Sequence, residues 1–301
     1  MHSTRFAIRD ENNRLDAASD HQRIIANLST YEFPWLITRA LEFALFRTYA
    51  VPSISALLAQ TRQFTRHGQR RYDDTALIIA EISEYGYDSE RGRAALRRMN
   101  RLHGRFEISN DDYLYVLSTF IFEPHRWVER FGWRTFTKNE QDAGFIFWCE
   151  VGARMNIKHI PATIAAYEQF NIDYEREHFR FSQSNAVIGE ATVQIFLNWY
   201  PAPTRPFVRE AIYALMDDNL RAAFGFSKAS RHLTRLIENG LSLRGWAIRH
   251  LFPPRQAPYR VTEAPNRSYP FGYHIERLGP PDMPQDRAIR GDEEKISNIE
   301  N

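Results

Sequence analysis

The sequence predicts an all-α protein, and three observations carry that reading. Helix-start signals recur along the chain: Pro34, Pro52, Ser109-Asn110, Thr137 with Glu140, and Pro161. Apolar residues in the central segment fall at helical spacing, as in Ile78, Ile79 and Ile82 and again in Ala95, Leu96 and Met99. Strand signals are scarce, with no sustained apolar–polar alternation joined by hairpin turns.

Taken in order, a helix is expected over about 31–49 with Pro34 in its first turn. A short one follows from Pro52 through SISALLAQTRQF, its polar end stopped near Gly68. Two central helices span the stretch from Arg70 to Phe106, joined by a turn at Gly86 to Ser89. Ser109 and Asn110 are good N-caps, and Asp111 and Asp112 suit the positive end of the next helix, which is expected to stop near Glu123-Pro124. Thr137-Lys-Asn-Glu140 reads as a capping box opening the helix through AGFIFWCEVGARM. Further helices follow Pro161, cover SNAVIGEATVQIFLNWY up to Pro201 and Pro203, form a pair ending near Phe224, and run from about Arg231 to Leu251.

These signals divide the chain into a disordered polar N-terminus (1–20), a helical domain (21–252), a Pro-rich strap (253–285) and a disordered tail (286–301). Tyr269, Phe271 and Tyr273 are expected to pin the strap to the body.

At 301 residues the chain is long enough to bury a large core, and its 43% hydrophobic and 25% charged content is that of an ordinary globular protein. A net charge of only +2 gives no basis for nucleic-acid binding. The single cysteine, Cys149, excludes an intrachain disulfide and fits a reducing compartment; within FIFWCEV it reads as a small core residue. The N-terminal segment lacks an apolar signal core, and no run approaches the ~20 apolar residues of a span. The expectation is a cytoplasmic protein with no integral membrane segment.

The chemistry concentrates between Arg70 and Phe106. Arg71 and Thr75 are one turn apart on one face of the first central helix. His103 ends the apolar stripe of the second, at i+8 from Ala95 and i+4 from Met99. A lone histidine on such a stripe is most often a core residue bonded to a carbonyl or carboxylate. Arg70-Arg71 likewise has a plain reading as a surface pair balanced by Asp73 and Asp74. The sharper reading is a haem site, with His103 on iron and Arg71 and Thr75 lining the far side. Elsewhere, Glu175-Arg-Glu-His178 has the Glu-x-x-His spacing of di-iron bundles, but no second copy exists on another helix, and a solvated face explains it. No HExxH, CxxC, P-loop or GxSxG is present.

The motif series resembles the MpaB/rubber oxygenase family, which includes the latex-clearing proteins. Arg71-Tyr-Asp-Asp-Thr75 resembles its Arg-x-x-x-Thr. MNRLHGR places His103 where the family has its histidine in a basic helix, and ISNDDYLYVLSTFIFEP supplies the following helix with Thr119. The resemblance extends from about residue 30 to residue 250. It implies a globin-like, multi-helix core binding haem b, so that 21–252 becomes an oxygenase-like catalytic domain. It further implies His103 as the iron ligand, Arg71 and Thr75 as catalytic residues of the distal pocket, and Met99 and Thr119 as additional cofactor contacts. Latex-clearing proteins can have a lysine just before the threonine; this chain has Asp74. The implied activity is oxygen-dependent oxidation of a hydrophobic small molecule, by analogy cleavage of an isoprenoid C=C bond. Two other functions stay open from the residues alone: a metal-free helical lipid carrier, and a haem-binding protein without turnover.

Overall fold

Short polar side chains set the helix starts. Asp16, Ser89, Ser109, Thr137, Thr163, Ser182 and Asp217 each accept a bond from a backbone N–H in the first turn they precede. The computed structural model describes residues 5–280, and among them there are helices and irregular segments but no strand. The helices are α1 (Ala7–Asn12), α2 (Ala17–Asn27), α3 (Pro34–Tyr49), α4 (Pro52–Thr61), α5 (Gln63–Tyr85), α6 (Glu90–His103) and α7 (Asn110–Phe131). They continue as α8 (Lys138–Arg154), α9 (Ile164–His178), α10 (Gln183–Leu197), α11 (Arg205–Leu215), α12 (Asp218–Phe224) and α13 (Arg231–His250). The all-α expectation holds.

The most extensive pairings are α3 on α7, α2 on α8, and α5 on α6. Phe43 of α3 meets Trp127 of α7 at 4.7 Å between ring centroids. Phe46, Phe147, Tyr167 and Phe224 are wholly buried, and burying an aromatic of this size contributes about 1.5–3 kcal/mol. No single helix among the described residues is long and apolar enough to cross a membrane. α3 and α4 reach the threshold only together, across a 97° bend, and α3 is largely buried against α7.

Four expectations are corrected. Residues 5–20 are ordered rather than disordered, with helix at 7–12 and again from 17. Asn12 is fully buried and donates to Glu140 at 2.9 Å, Asp16 caps α2, and Phe6 packs on Trp133. Gly68 does not stop a helix. The break falls at Arg62, which is left-handed (φ 54°), and α5 runs through a kink at His67. Gly68 serves close approach instead, because a Cβ there would sit 3.0 Å from Ile195 of α10. Pro124 lies inside α7, which continues to Phe131. An internal proline costs about 3 kcal/mol, and burial of Trp127, Val128 and Phe131 beyond it outweighs that. Phe271, expected to pin the strap, is fully exposed.

From 253 to 280 the strap is irregular apart from one short 3₁₀ turn at Ile275–Arg277. Its last expected residues, 281–285, and the tail at 286–301 lie outside the described residues, as do residues 1–4. The strap is laced to the outer face of α5 through carboxylates. Asp73 accepts from the Ser268 backbone at 3.1 Å, Asp74 from the Tyr269 hydroxyl, Glu81 from the Tyr273 hydroxyl, and Glu84 from Val261 N at 2.7 Å and Thr262 Oγ1 at 2.6 Å. The strap then crosses to α6, where Arg98 Nε donates to the Leu278 carbonyl at 2.5 Å.

Glu42 of α3 offers a test of buried charge. Burial raises its carboxyl to about 7, against the lowering effects of Arg39, 2.6 Å away, and of the Tyr72 hydroxyl. A carboxyl raised in the folded state favours folding when protonated. Its contribution is therefore full below about 4.5 and is lost as pH rises through about 7. The expected result is that Glu42→Gln gains stability relative to the parent from pH 5 to pH 8, by on the order of 2–3 kcal/mol. Urea unfolding at both pH values measures it; a difference that stays constant with pH would contradict the shift.

Candidate functional site

The turn between α5 and α6 fixes how the two helices face each other. Gly86 is left-handed (φ 81°), and Gly92 in the first turn of α6 lies so close to the Gly86 carbonyl that a Cβ there would be 2.0 Å from it. The helices consequently pack tightly as an antiparallel pair. That packing brings Arg71 of α5 and His103, the last residue of α6, within electrostatic reach of each other.

His103 is not bonded as a core histidine would be. Its Nδ1 is buried and has no hydrogen-bond partner. Burial first, and the nearby Arg71 charge second, push its pKa down to about 4, so the imidazole is neutral at physiological pH. A neutral imidazole with an unused nitrogen is the form that binds a metal. The acceptor expected to hold its second nitrogen is not found at Nδ1. Tyr113 of α7 packs edge-on against the ring at 5.8 Å.

Arg71 and Thr75 are joined as their spacing suggests. The guanidinium donates to Thr75 Oγ1, and that hydroxyl donates to the Arg71 carbonyl at 3.0 Å. Arg71 also lies 5.6 Å from the Phe64 ring centroid. Among the described residues no carboxylate forms an ion pair with it. Asp73 and Asp74, the partners of the plain surface reading, are both buried and bonded to the strap, while the Arg70 and Arg71 charges still act to lower the Asp74 carboxyl. Asp74 is thereby committed to Tyr269 on the strap side of α5, and burial raises its pKa.

Met99 is half-buried against the core one turn before His103. Thr119 is wholly buried, and its hydroxyl is used on the Val116 carbonyl at 2.7 Å. Six residues along a helix is about 120° from the line of Tyr113, so Tyr113, not Thr119, is the α7 residue set against His103. The sequence reading missed Tyr113 and Phe64. Tyr113 sits ten residues after His103, at the start of the next helix, a signal that could have been used. Phe64 had none.

Phe64 also lines an open groove of about 970 Å³ between α5 and α10, with Gly68, Val187 and Ile195 on its apolar side and Gln69, Gln194 and Arg267 among its polar lining. The remaining candidates are structural. Glu175 is not solvated, because it is mostly buried and paired with Arg47, while His178 stacks on Tyr174 at 4.0 Å. Burial raises the Cys149 thiol to about 12, which keeps it unreactive. No cluster of three metal-ligating side chains exists among the described residues.

A family profile described as "ER-bound oxygenase mpaB/B'/Rubber oxygenase, catalytic domain" matches residues 32–250. The chain belongs to the MpaB/rubber oxygenase family. Among MpaB relatives, the chain is 29% identical over 253 residues to the ER-bound oxygenase mpaB' of Penicillium brevicompactum, covering 78% of this chain and 60% of that protein. It is also 29% identical to the ER-bound oxygenase mpaB of the same organism, over 78% of this chain and 58% of the relative. The mpaB of Penicillium roqueforti matches at 29% over 64% of this chain and 70% of its own length. The chain thus spans about three fifths of the length of the first two MpaB relatives. The family match covers α3 to α13, including His103, Arg71 and Thr75, and ends where the strap begins.

Proposed function

We propose that this chain is a haem-dependent oxygenase acting on a hydrophobic, isoprenoid-like small molecule, with His103 as the iron ligand. One observation supports this above the others: a neutral, half-buried His103 with a buried, unused Nδ1 lies within electrostatic reach of an Arg71 that makes no ion pair among the described residues. A haem would fit both groups: His103 would hold its iron, and the half-buried Arg71 would pair with an acidic group of the cofactor.

Haem b, when bound, would supply the activation of molecular oxygen needed to cleave a C=C bond. The chain supplies the rest. His103 fixes the metal and stays neutral because burial and Arg71 disfavour its protonation. Arg71 presents a permanent positive charge, and its bond to Thr75 holds the guanidinium in one orientation. Phe64, Tyr113 and Met99 provide apolar surface that seats a hydrophobic substrate and excludes water. The name "oxygenase" carried by the relatives supports the reaction class.

The test is the visible spectrum of the purified chain after haem supplementation, followed by oxygen uptake with isoprenoid alkenes. The expected result is a sharp Soret band and alkene-dependent oxygen consumption. A folded protein with no Soret band would overturn the haem reading. The groove beside Phe64 would then favour a metal-free carrier of apolar ligands. A Soret band without oxygen uptake on any alkene would leave a haem-binding protein without turnover.

A further inference from the structure

α13 is amphipathic in an unusual sense: both of its faces carry apolar side chains. Its inner face docks through the buried Gly245, which lies against the carbonyls of Phe131 and Gly132 at the end of α7, with Leu241 and Ile248 packed on the core beside it. The opposite face carries Leu236 and Leu243, two turns apart on one line, with Trp246 beside them. Leu236 is 61% exposed, Leu243 62% and Trp246 52%. The patch continues off the end of the helix through Leu251 (66%) and Phe252 (58%). A run of exposed large apolar residues on one element is not ordinary surface scatter.

Charge says what covers it. Residues 231–255 contain five arginines and one glutamate, a balance of +4 in a chain whose total is only +2. The one acid, Glu238, is neutralised by Arg130 at 2.6 Å. Arg231, Arg235 and Arg249 are exposed, Arg235 lies beside Trp246 on the helix with Arg249 further round the same side, and among the described residues no ion pair holds them. Trp, Leu and Phe between arginines on one face of a surface helix is the composition of an element that lies in the plane of a membrane. The apolar side chains enter the headgroup boundary and the arginines meet anionic lipid. A second copy of the chain would set this positive face against itself.

We propose that the outer face of α13, with Leu251 and Phe252, is a peripheral docking surface for an anionic lipid bilayer. It needs no spanning helix, and it lies outside the His103–Arg71 site, so it stands or falls independently of the haem reading.

The experiment is co-sedimentation of the full chain with phosphatidylcholine vesicles with and without phosphatidylserine, at low and high salt. The parent is expected to pellet with the anionic vesicles and to be released by salt. Leu243→Ser/Trp246→Ser and, separately, Arg235→Glu/Arg249→Glu should each weaken binding at least about tenfold. All four side chains face solvent, so circular dichroism should report an unchanged fold; if either pair disturbs it, the other pair carries the test. The proposal is overturned if the parent does not pellet, if the variants pellet as well as the parent, or if phosphatidylserine makes no difference. Light scattering that finds a dimer converted to monomer by Leu243→Ser/Trp246→Ser would also overturn it, in favour of a second copy.

Discussion

His103→Ala is expected to remove haem binding while leaving the folded protein intact. A core histidine would behave in the opposite way. It would hold a carbonyl or carboxylate, and its loss would cost the ~1–3 kcal/mol of a buried partner left unsatisfied. His103 Nδ1 holds no such partner, so truncation breaks no hydrogen bond there and removes a polar atom buried at a cost. Thermal unfolding of the haem-free variant should match the parent within about 1 kcal/mol. Haem titration should show at least about 100-fold weaker binding, with the Soret band lost or shifted. Arg71→Leu serves as the companion, because it should weaken haem retention less and change the band little. Equal Soret bands in His103→Ala and the parent would remove the ligand assignment, and a large drop in the variant's haem-free stability would restore the core-histidine reading.

The largest stability effect is expected at Arg134, whose partners are Glu32 and Glu140 rather than residues of the candidate site. Its guanidinium makes a two-pronged contact with Glu140, both bonds 2.7 Å, and a third to Glu32 at 2.7 Å. All three side chains are nearly or fully buried. Glu140 is also the closing member of the capping box of α8 and accepts from Asn12, so the same carboxylate ties α1 to α8. Arg134→Ala strands two buried carboxylates, which costs about 3–5 kcal/mol and should lower Tm by roughly 10 °C in a chain of this size. Arg134→Lys keeps the charge but not the planar fork, and should recover only part of the loss. Burial already raises the Glu32 carboxyl, with Arg134 pulling the other way. Removing Arg134 raises it further, so the deficit should shrink as pH falls and that carboxyl protonates. Calorimetry at acid and neutral pH measures both; a loss below about 1 kcal/mol would show that the network is not load-sharing.

Much of the fold was legible because its signals are local. The Thr137–Glu140 capping box, the Gly86 turn and the prolines opening α3 and α4 each specify a few residues by chemistry within one turn. Arg71–Thr75 was legible for the same reason, since helix spacing alone sets that contact. The misreadings share a different cause. Gly68 and Pro124 look like helix stops in isolation, and only Ile195 of α10 and the aromatics packed against α3 show why the helices run on. Asp73 and Asp74 looked like partners of adjacent arginines; their true partners, Ser268 and Tyr269, come from 195 residues away. Thr119 was placed at the site by resemblance, and Tyr113, whose ring contacts His103, had no such signal.

The lacing of the strap onto α5 has a consequence for how the protein comes into being. Its bonds join residues 177 to 195 positions apart, Val261 to Glu84 and Tyr269 to Asp74 among them. Contacts of that separation carry a high loop-closure cost and form late, after the local α5–α6 hairpin. During synthesis Asp74 and Glu84 of α5 therefore wait for their strap partners until all thirteen described helices have emerged, whereas Glu81 already has Arg91 within the hairpin. The helix beside His103 is fastened on this side by a segment that follows every helix of the described core. A nascent chain or a product truncated near residue 255 would carry every residue of the candidate site and still lack the fastening, so arrival of the strap is the step that braces α5.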